Sequence, residues 1–185
     1  MFDLYIANKN YSSWSLRPWV LLKALEIPFN EHLMPFEGGF GESHTTFKRF
    51  SPSGLVPCLV DNEHDVAVWD SLAIVEYVAE THPNIWPSAR GARAWARSAS
   101  AEMHSGFGAL RDECSMNCGV RVAMNELSPG LKSNMARLDA LWQEGLARFG
   151  GPFLAGEHFT AVDAFYAPVA FRIQTFNLPL SDASL

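Results

Sequence analysis

Ser12 and Ser13 stand side by side in the loop Asn10-Tyr11-Ser12-Ser13-Trp14-Ser15, directly ahead of a run with helical spacing. The first turn of a helix offers backbone N–H groups without intrahelical partners, together with the positive end of the macrodipole. A hydroxyl placed there either caps the helix or helps to hold an anion. The loop alone leaves both roles open. A second place for chemistry is Val56-Pro57, at the entrance of an apolar run. X–Pro bonds are mostly trans, so trans is the expectation from the sequence alone. A cis bond would turn the Val56 N–H and C=O outward, where an extended peptide can pair with them as an added strand. Third, Asp70-Ser71 sets a carboxylate and a hydroxyl at another helix start. That pair suits an amino acid's ammonium and carboxylate groups, and it equally suits capping.

These three sites need elements to carry them. Phe2 to Ala7 alternates apolar residues with others and breaks at Asn8-Lys9-Asn10, which predicts a strand and then a loop. From Ser15 to Glu26, Trp19, Leu22 and Leu25 recur near helical spacing; Pro18 falls in the tolerant first turn and Pro28 ends the run. Phe29 to Phe36 is the next predicted strand, and Gly38-Gly39-Phe40-Gly41 with the polar residues after it predicts a mobile connection. Ser51 to Asp61 reads as a turn entering a strand, Val66 to Trp69 as its hairpin partner, and Asp70-Ser71 opens a helix that ends before Pro83. Residues 1–82 therefore form an α/β domain ordered β-α-β, an irregular link, then β-β-α. Residues 83–88 hold two prolines and no period, a natural linker. Residues 89–185 form an all-α domain, a bundle with helices from Ala89 to about Arg111, from Gly130 to about Phe149, and from Thr160 onward.

Composition limits the partners. With 20 acidic against 14 basic residues, a net charge of -6 repels polyphosphate, so nucleic acid is not expected. No apolar run approaches the roughly 20 residues of a membrane span, and the start lacks a basic segment followed by an apolar one. Neither a membrane nor a secretory route is expected. Cys58, Cys114 and Cys118 are too few for a disulfide framework, which points to the reducing cytoplasm. Cys114 and Cys118 share a helical spacing but have no histidine partners nearby, and no metal is expected.

Taken in order and spacing, the Ser-Ser loop, the run Ser53-Gly54-Leu55-Val56-Pro57-Cys58-Leu59-Val60 and then Trp69-Asp70-Ser71 resemble the glutathione transferase superfamily. The stretch Tyr11-Ser12-Ser13-Trp14-Ser15-Leu16-Arg17-Pro18-Trp19 is similar to a bacterial serine-type branch, and more distantly to the zeta class with its Ser-Ser-Cys-Ser loop. The resemblance implies a thioredoxin-like first domain that holds glutathione as co-substrate, a helical second domain that selects a small electrophile, and a homodimer. It implies that Ser12, with Ser13 beside it, serves the glutathione sulfur and that the Val56 backbone pairs with the cysteinyl unit. Pro57 would be the family's cis-proline, and Asp70 and Ser71 would hold the γ-glutamyl end. Leu55 departs from the Lys or Gln of many relatives that meets the glycyl carboxylate, a contact left to Lys48 or His44. Family members usually continue with further helical segments past the last helix seen here.

Thr160 and Asp163 look like the family's buried capping motif, a reciprocal box that concerns folding. His104, Phe107 and Arg111 are spaced three and four apart on the helix expected from Ala89, and so share a face. With Trp14 they form the candidate second-substrate pocket, Arg111 attracting a carboxylate, or else His104, Phe107 and Arg111 are a packing stripe with a surface arginine. Three functions remain open: thiol transfer to an electrophile, glutathione-dependent cis-trans isomerisation with Arg17 and Arg111 on a dicarboxylate, and a ligand carrier or regulatory protein without activity.

Overall fold

A computed structural model describes residues 1–38, 42–124 and 126–184. The chain divides into two compact units, Met1–Ile85 and Trp86–Leu185. In the first, β1 (Phe2–Ile6), α1 (Ser13–Ala24), β2 (Phe29–Leu33), α2 (Glu42–Phe47), β3 (Cys58–Asp61), β4 (Val66–Trp69) and α3 (Ser71–Ala79) follow one another. The sheet order is β2-β1-β3-β4, with β1 parallel to β2 and antiparallel to β3, and β3 antiparallel to β4. This is a mixed thioredoxin-like sheet. Phe2, Leu4 and Ile6 alternate inward along β1 and meet Leu21 and Leu22 of α1 and Ile74, Val75 and Val78 of α3 in the buried core.

Three local expectations are corrected. Helix α1 starts two residues earlier than its apolar period, so Pro18 lies inside it and not in its first turn. Strand β2 stops at Leu33, because Pro35 has no N–H to continue the ladder. The chain is then tied down by Met34 N–H to the Ile6 carbonyl (2.8 Å) and Phe36 N–H to Asn8 Oδ1 (2.8 Å). Of the expected mobile connection, Gly39, Phe40 and Gly41 lie outside the described residues. The polar residues that follow form α2 instead, with Ser43 buried and its Oγ accepting the Glu37 N–H at 2.9 Å.

The second unit contains α4 (Arg90–Ser105), α5 (Gly108–Glu113), α6 (Pro129–Phe149) and α7 (Ala161–Phe176). Helix α6 starts one residue before the expected Gly130 and is bounded at both ends: Ser128 Oγ accepts the Leu131 N–H, Pro129 opens the first turn, and Gly150 closes in the left-handed region at φ 67. Gly145 in its middle is a packing necessity, since a Cβ there would lie 2.4 Å from the Leu154 carbonyl and 2.5 Å from the Trp95 ring. Among the described residues no helix is long and apolar enough to cross a membrane.

Candidate functional site

Ser12, Trp14, Leu55, Val56, Pro57, Asp70 and Ser71 all line one cavity of about 410 Å³ in the first unit. Each comes from a junction between elements. Ser12 is the N-cap residue of α1, yet its side chain makes no capping bond; Oγ is buried and donates to Ser15 Oγ at 2.8 Å. The first turn of α1 carries no acidic residue, so its positive end is not compensated by a side chain of that turn. Ser13, the first helical residue, is half-buried and does not line the cavity.

Val56 precedes β3, and the Val56–Pro57 peptide bond is cis. Among the described residues neither the Val56 N–H nor its C=O has a backbone partner, so both are available to an extended ligand. Leu55 is exposed on the same wall. Asp70 caps α3 outright: Oδ1 accepts the Leu72 N–H at 2.8 Å and the Ala73 N–H at 3.3 Å. It does so at φ 76 and ψ 135, a conformation costly for a residue with a Cβ and held here by the cap and the surrounding fold. Ser71 is fully buried and accepts from Arg17 Nη1 at 3.4 Å. The Arg17 guanidinium itself is buried, 4.3 Å from the Trp14 ring centroid, which places a cation behind two cavity-lining side chains.

Phe36, Phe47, His44, Gly54 and Trp69 complete much of the wall. Phe36 and Phe47 carried no sequence signal beyond apolarity, whereas Trp69 belonged to the Trp69-Asp70-Ser71 motif. Gly54 did carry one: at φ 68, with a Cβ that would stand 2.6 Å from the His44 ring, it is the residue that lets His44 close over the turn. Lys48 does not line the cavity.

None of the chain's own thiols is prepared for attack. Burial pushes the Cys58 thiol up despite a bond from Ser51, and burial likewise raises Cys114 and Cys118. Cys58 Sγ donates to the Phe50 carbonyl at 3.4 Å. None of the three cysteines lines this cavity.

The second unit corrects the expected helix face. A single helix to Arg111 does not form: α4 ends at Ser105, Gly106 is extended, and Phe107 turns left-handed at φ 58, ψ 43 before α5. Gly106 weakens the helix there, and the left-handed Phe107 separates α4 from α5. Arg111 serves that break. Its Nε donates to the Gly106 carbonyl at 2.9 Å, and Nη2 to the carbonyls of His104 (3.1 Å) and Met103, satisfying acceptors a helix end leaves over. The His104 ring lies 6.2 Å from that of Phe165, and Phe107 is buried. His104, Phe107 and Arg111 thus belong to two helices and the link between them. The Thr160–Asp163 box is present at the start of α7, and Asp163 Oδ1 also accepts the Leu154 N–H at 2.8 Å.

Comparisons with known proteins agree with this architecture. A family model described as Glutathione S-transferase, N-terminal domain, matches residues 11–81. Glutathione S-transferase GstB of Escherichia coli is 32% identical over 94% of this chain and 84% of its own length. A probable maleylacetoacetate isomerase of Vibrio cholerae is 30% identical over 98% of this chain and 86% of its own. Among solved structures, a glutathione transferase homologue from Burkholderia with bound glutathione superposes with a TM-score of 0.71 at 19% identity, covering 99% of this chain and 87% of that one.

Proposed function

Because the chain belongs to the glutathione S-transferase family, we propose that it binds glutathione in the first-unit cavity and activates the thiol for attack on a small electrophile. The observation that carries this reading is Ser12: a hydroxyl at a helix start that does not cap its helix and instead lines the cavity. The Val56 backbone pairs with the cysteinyl unit, as its unused N–H and C=O permit. Asp70 and Ser71 take the γ-glutamyl ammonium and carboxylate, with the buried Arg17 behind Ser71 favouring the carboxylate. His44 stands on the wall where the glycyl carboxylate needs a donor, since Leu55 offers none.

The chemistry asked of the protein is modest. A free thiol ionises with a pKa of about 8.5, and lowering it by about two units takes roughly 2.7 kcal/mol of preference for the anion. A hydroxyl donating a charge-assisted hydrogen bond supplies roughly 1.5–3 kcal/mol, and the helix terminus about 0.3–1 kcal/mol. Together these cover the requirement. The proton leaves to solvent, and the thiolate attacks.

Glutathione-dependent cis-trans isomerisation is the second reading, favoured by relatives named as probable maleylacetoacetate isomerases. Against it, the two arginines that would hold a dicarboxylate are engaged: Arg17 with Ser71 and Trp14, Arg111 with backbone carbonyls. The test is a pH titration of thiolate ultraviolet absorbance with glutathione bound to wild type, Ser12→Ala and Ser13→Ala. A depressed thiol pKa that rises strongly in Ser12→Ala and little in Ser13→Ala is the expected result. Equal, small effects from both variants would remove Ser12 from its role, and binding with an unshifted pKa would make the protein a carrier.

A further inference from the structure

Ser15 lies three residues beyond Ser12, on the same face of α1, and is buried. Its Oγ is 2.8 Å from Ser12 Oγ and 3.2 Å from the backbone N of Ala7, just past the end of β1. The Ala7 N–H cannot rotate away, so it donates to Ser15 in every state. The two hydroxyls can, and a single proton lies between their oxygens. In this structure Ser12 donates to Ser15, so its proton points away from the cavity, and the Ser15 proton has no acceptor among the described residues. If Ser15 donates, its donor and acceptor capacity toward Ala7 and Ser12 is used, and the Ser12 proton is free to face the cavity. An acceptor in the cavity therefore decides the orientation.

We propose that Ser15 is a positioning residue, the middle member of a directed chain running from the Ala7 N–H through Ser15 Oγ–H and Ser12 Oγ–H to an anion in the cavity. The inference rests on the role given to Ser12 above. No proton changes owner: each hydroxyl keeps its hydrogen and rotates about its own C–O bond when the thiolate arrives. The fixed N–H polarises Ser15, and Ser15 polarises Ser12, so the last bond in the chain is stronger than Ser12 alone would make it. Because Ser15 does not line the cavity, it acts only through Ser12.

The readout is the pKa of glutathione bound to Ser15→Ala, to Ser12→Ala and to the double variant, followed by thiolate ultraviolet absorbance. Ser15→Ala should raise the bound thiol pKa by about half a unit, roughly threefold less thiolate below the pKa. On the Ser12→Ala background the same change should add nothing. A role confined to helix packing would lower the melting temperature without that non-additive pattern. Ser15→Cys keeps the volume with a weak donor and should give a rise of the same sign, which covers an unstable alanine variant. A wild-type pKa in both Ser15 variants overturns the inference, as does an equal rise with and without Ser12. If Ser12→Ala shifts the pKa while the Ser15 variants do not, only this inference fails. If Ser12→Ala shifts nothing, the Ser12 reading fails and takes Ser15 with it.

Discussion

Among the helices of this chain that are entered through a hydroxyl residue, α7 and α1 use it in opposite ways. At the start of α7, Thr160 and Asp163 answer each other, and the carboxylate takes the Thr160 N–H at 2.8 Å and the Leu154 N–H at 2.8 Å. Polar groups are consumed within the fold. At the start of α1, Ser12 makes no cap and keeps its hydroxyl between Ser15 and a cavity. The difference teaches that the partner of a helix-start hydroxyl, Asp163 within the fold for Thr160 and Ser15 beside a cavity for Ser12, separates a folding residue from a candidate site residue where residue type does not. Asp70 stands between these cases, because it caps α3 fully and lines the same cavity as Ser12.

Replacing the α7 carboxylate should produce the largest effect. Asp163→Ala strands the N–H groups of Leu154 and Thr160, and each buried donor left unpaired costs about 1–3 kcal/mol. A loss of about 3 kcal/mol in denaturant unfolding is expected, with the pKa of bound glutathione unchanged in the protein that remains folded. Unaltered stability would show that the box is not a structural device. At α1 the prediction inverts. Ser12→Ala should lower kcat/KM by about tenfold to a hundredfold, the equivalent of a lost charge-assisted hydrogen bond, with stability within about 1 kcal/mol of wild type. A stability loss as large as that of Asp163→Ala would make Ser12 a fold residue and erase the contrast.

The hybrid case separates the two functions on one side chain. Asn caps as well as Asp does, so Asp70→Asn should leave unfolding within about 0.5 kcal/mol of wild type. It removes the charge proposed to face the γ-glutamyl ammonium, and on that reading the Kd for glutathione should rise about tenfold, the equivalent of about 1.4 kcal/mol. Isothermal calorimetry checks both the affinity and whether the loss disappears for an analogue without the ammonium group. An unchanged Kd would leave Asp70 a cap alone.

Much of this contrast was legible in the sequence, and the remainder has physical reasons for being hidden. Alternation at Phe2, Leu4 and Ile6 and the helical period from Gly130 to about Phe149 are local signals, and they gave β1 and α6 directly, α6 to within one residue of its start. The Ser-Ser loop, Val56-Pro57 and Asp70-Ser71 are distant in sequence and become one cavity wall through the order β2-β1-β3-β4. Their order and spacing matched a known family before any contact was visible. The break at Gly106-Phe107 was hidden because a helical period runs through it, and the three carbonyls left at the break are met by Arg111 from α5, a contact the period does not display. Helix α2 has only six residues, too few to display a period. Whether Ser12 caps or turns away is a matter of one rotamer and one neighbour, Ser15, and residue type cannot report it.

A carboxylate that serves the fold without starting a helix gives the smallest effect and the sharpest control. Asp61, at the end of β3, is buried, which would raise its pKa, but bonds from His64 Nδ1 (2.9 Å) and Tyr77 OH (2.8 Å) and the Glu63 N–H (3.0 Å) outweigh burial and hold it at about 2. His64 is pushed upward by the hydrogen bond and charge of Asp61. The signs fix a window. A depressed carboxylate contributes stability above its unfolded pKa of about 3.9, lost as pH falls toward 2. A raised histidine contributes stability below about 6.5, lost as pH rises through its higher folded value. Their shared contribution is therefore greatest between about pH 4 and 6.5. Unfolding of His64→Ala across that range should show a deficit that fades at higher pH as wild-type His64 loses its proton, with the bound thiol pKa untouched throughout. Asp61 and His64 do not line the cavity proposed for glutathione, so a shift in that thiol pKa would mean that charges anywhere on this sheet tune the sulfur, and the specific role given to Ser12 would lose its ground.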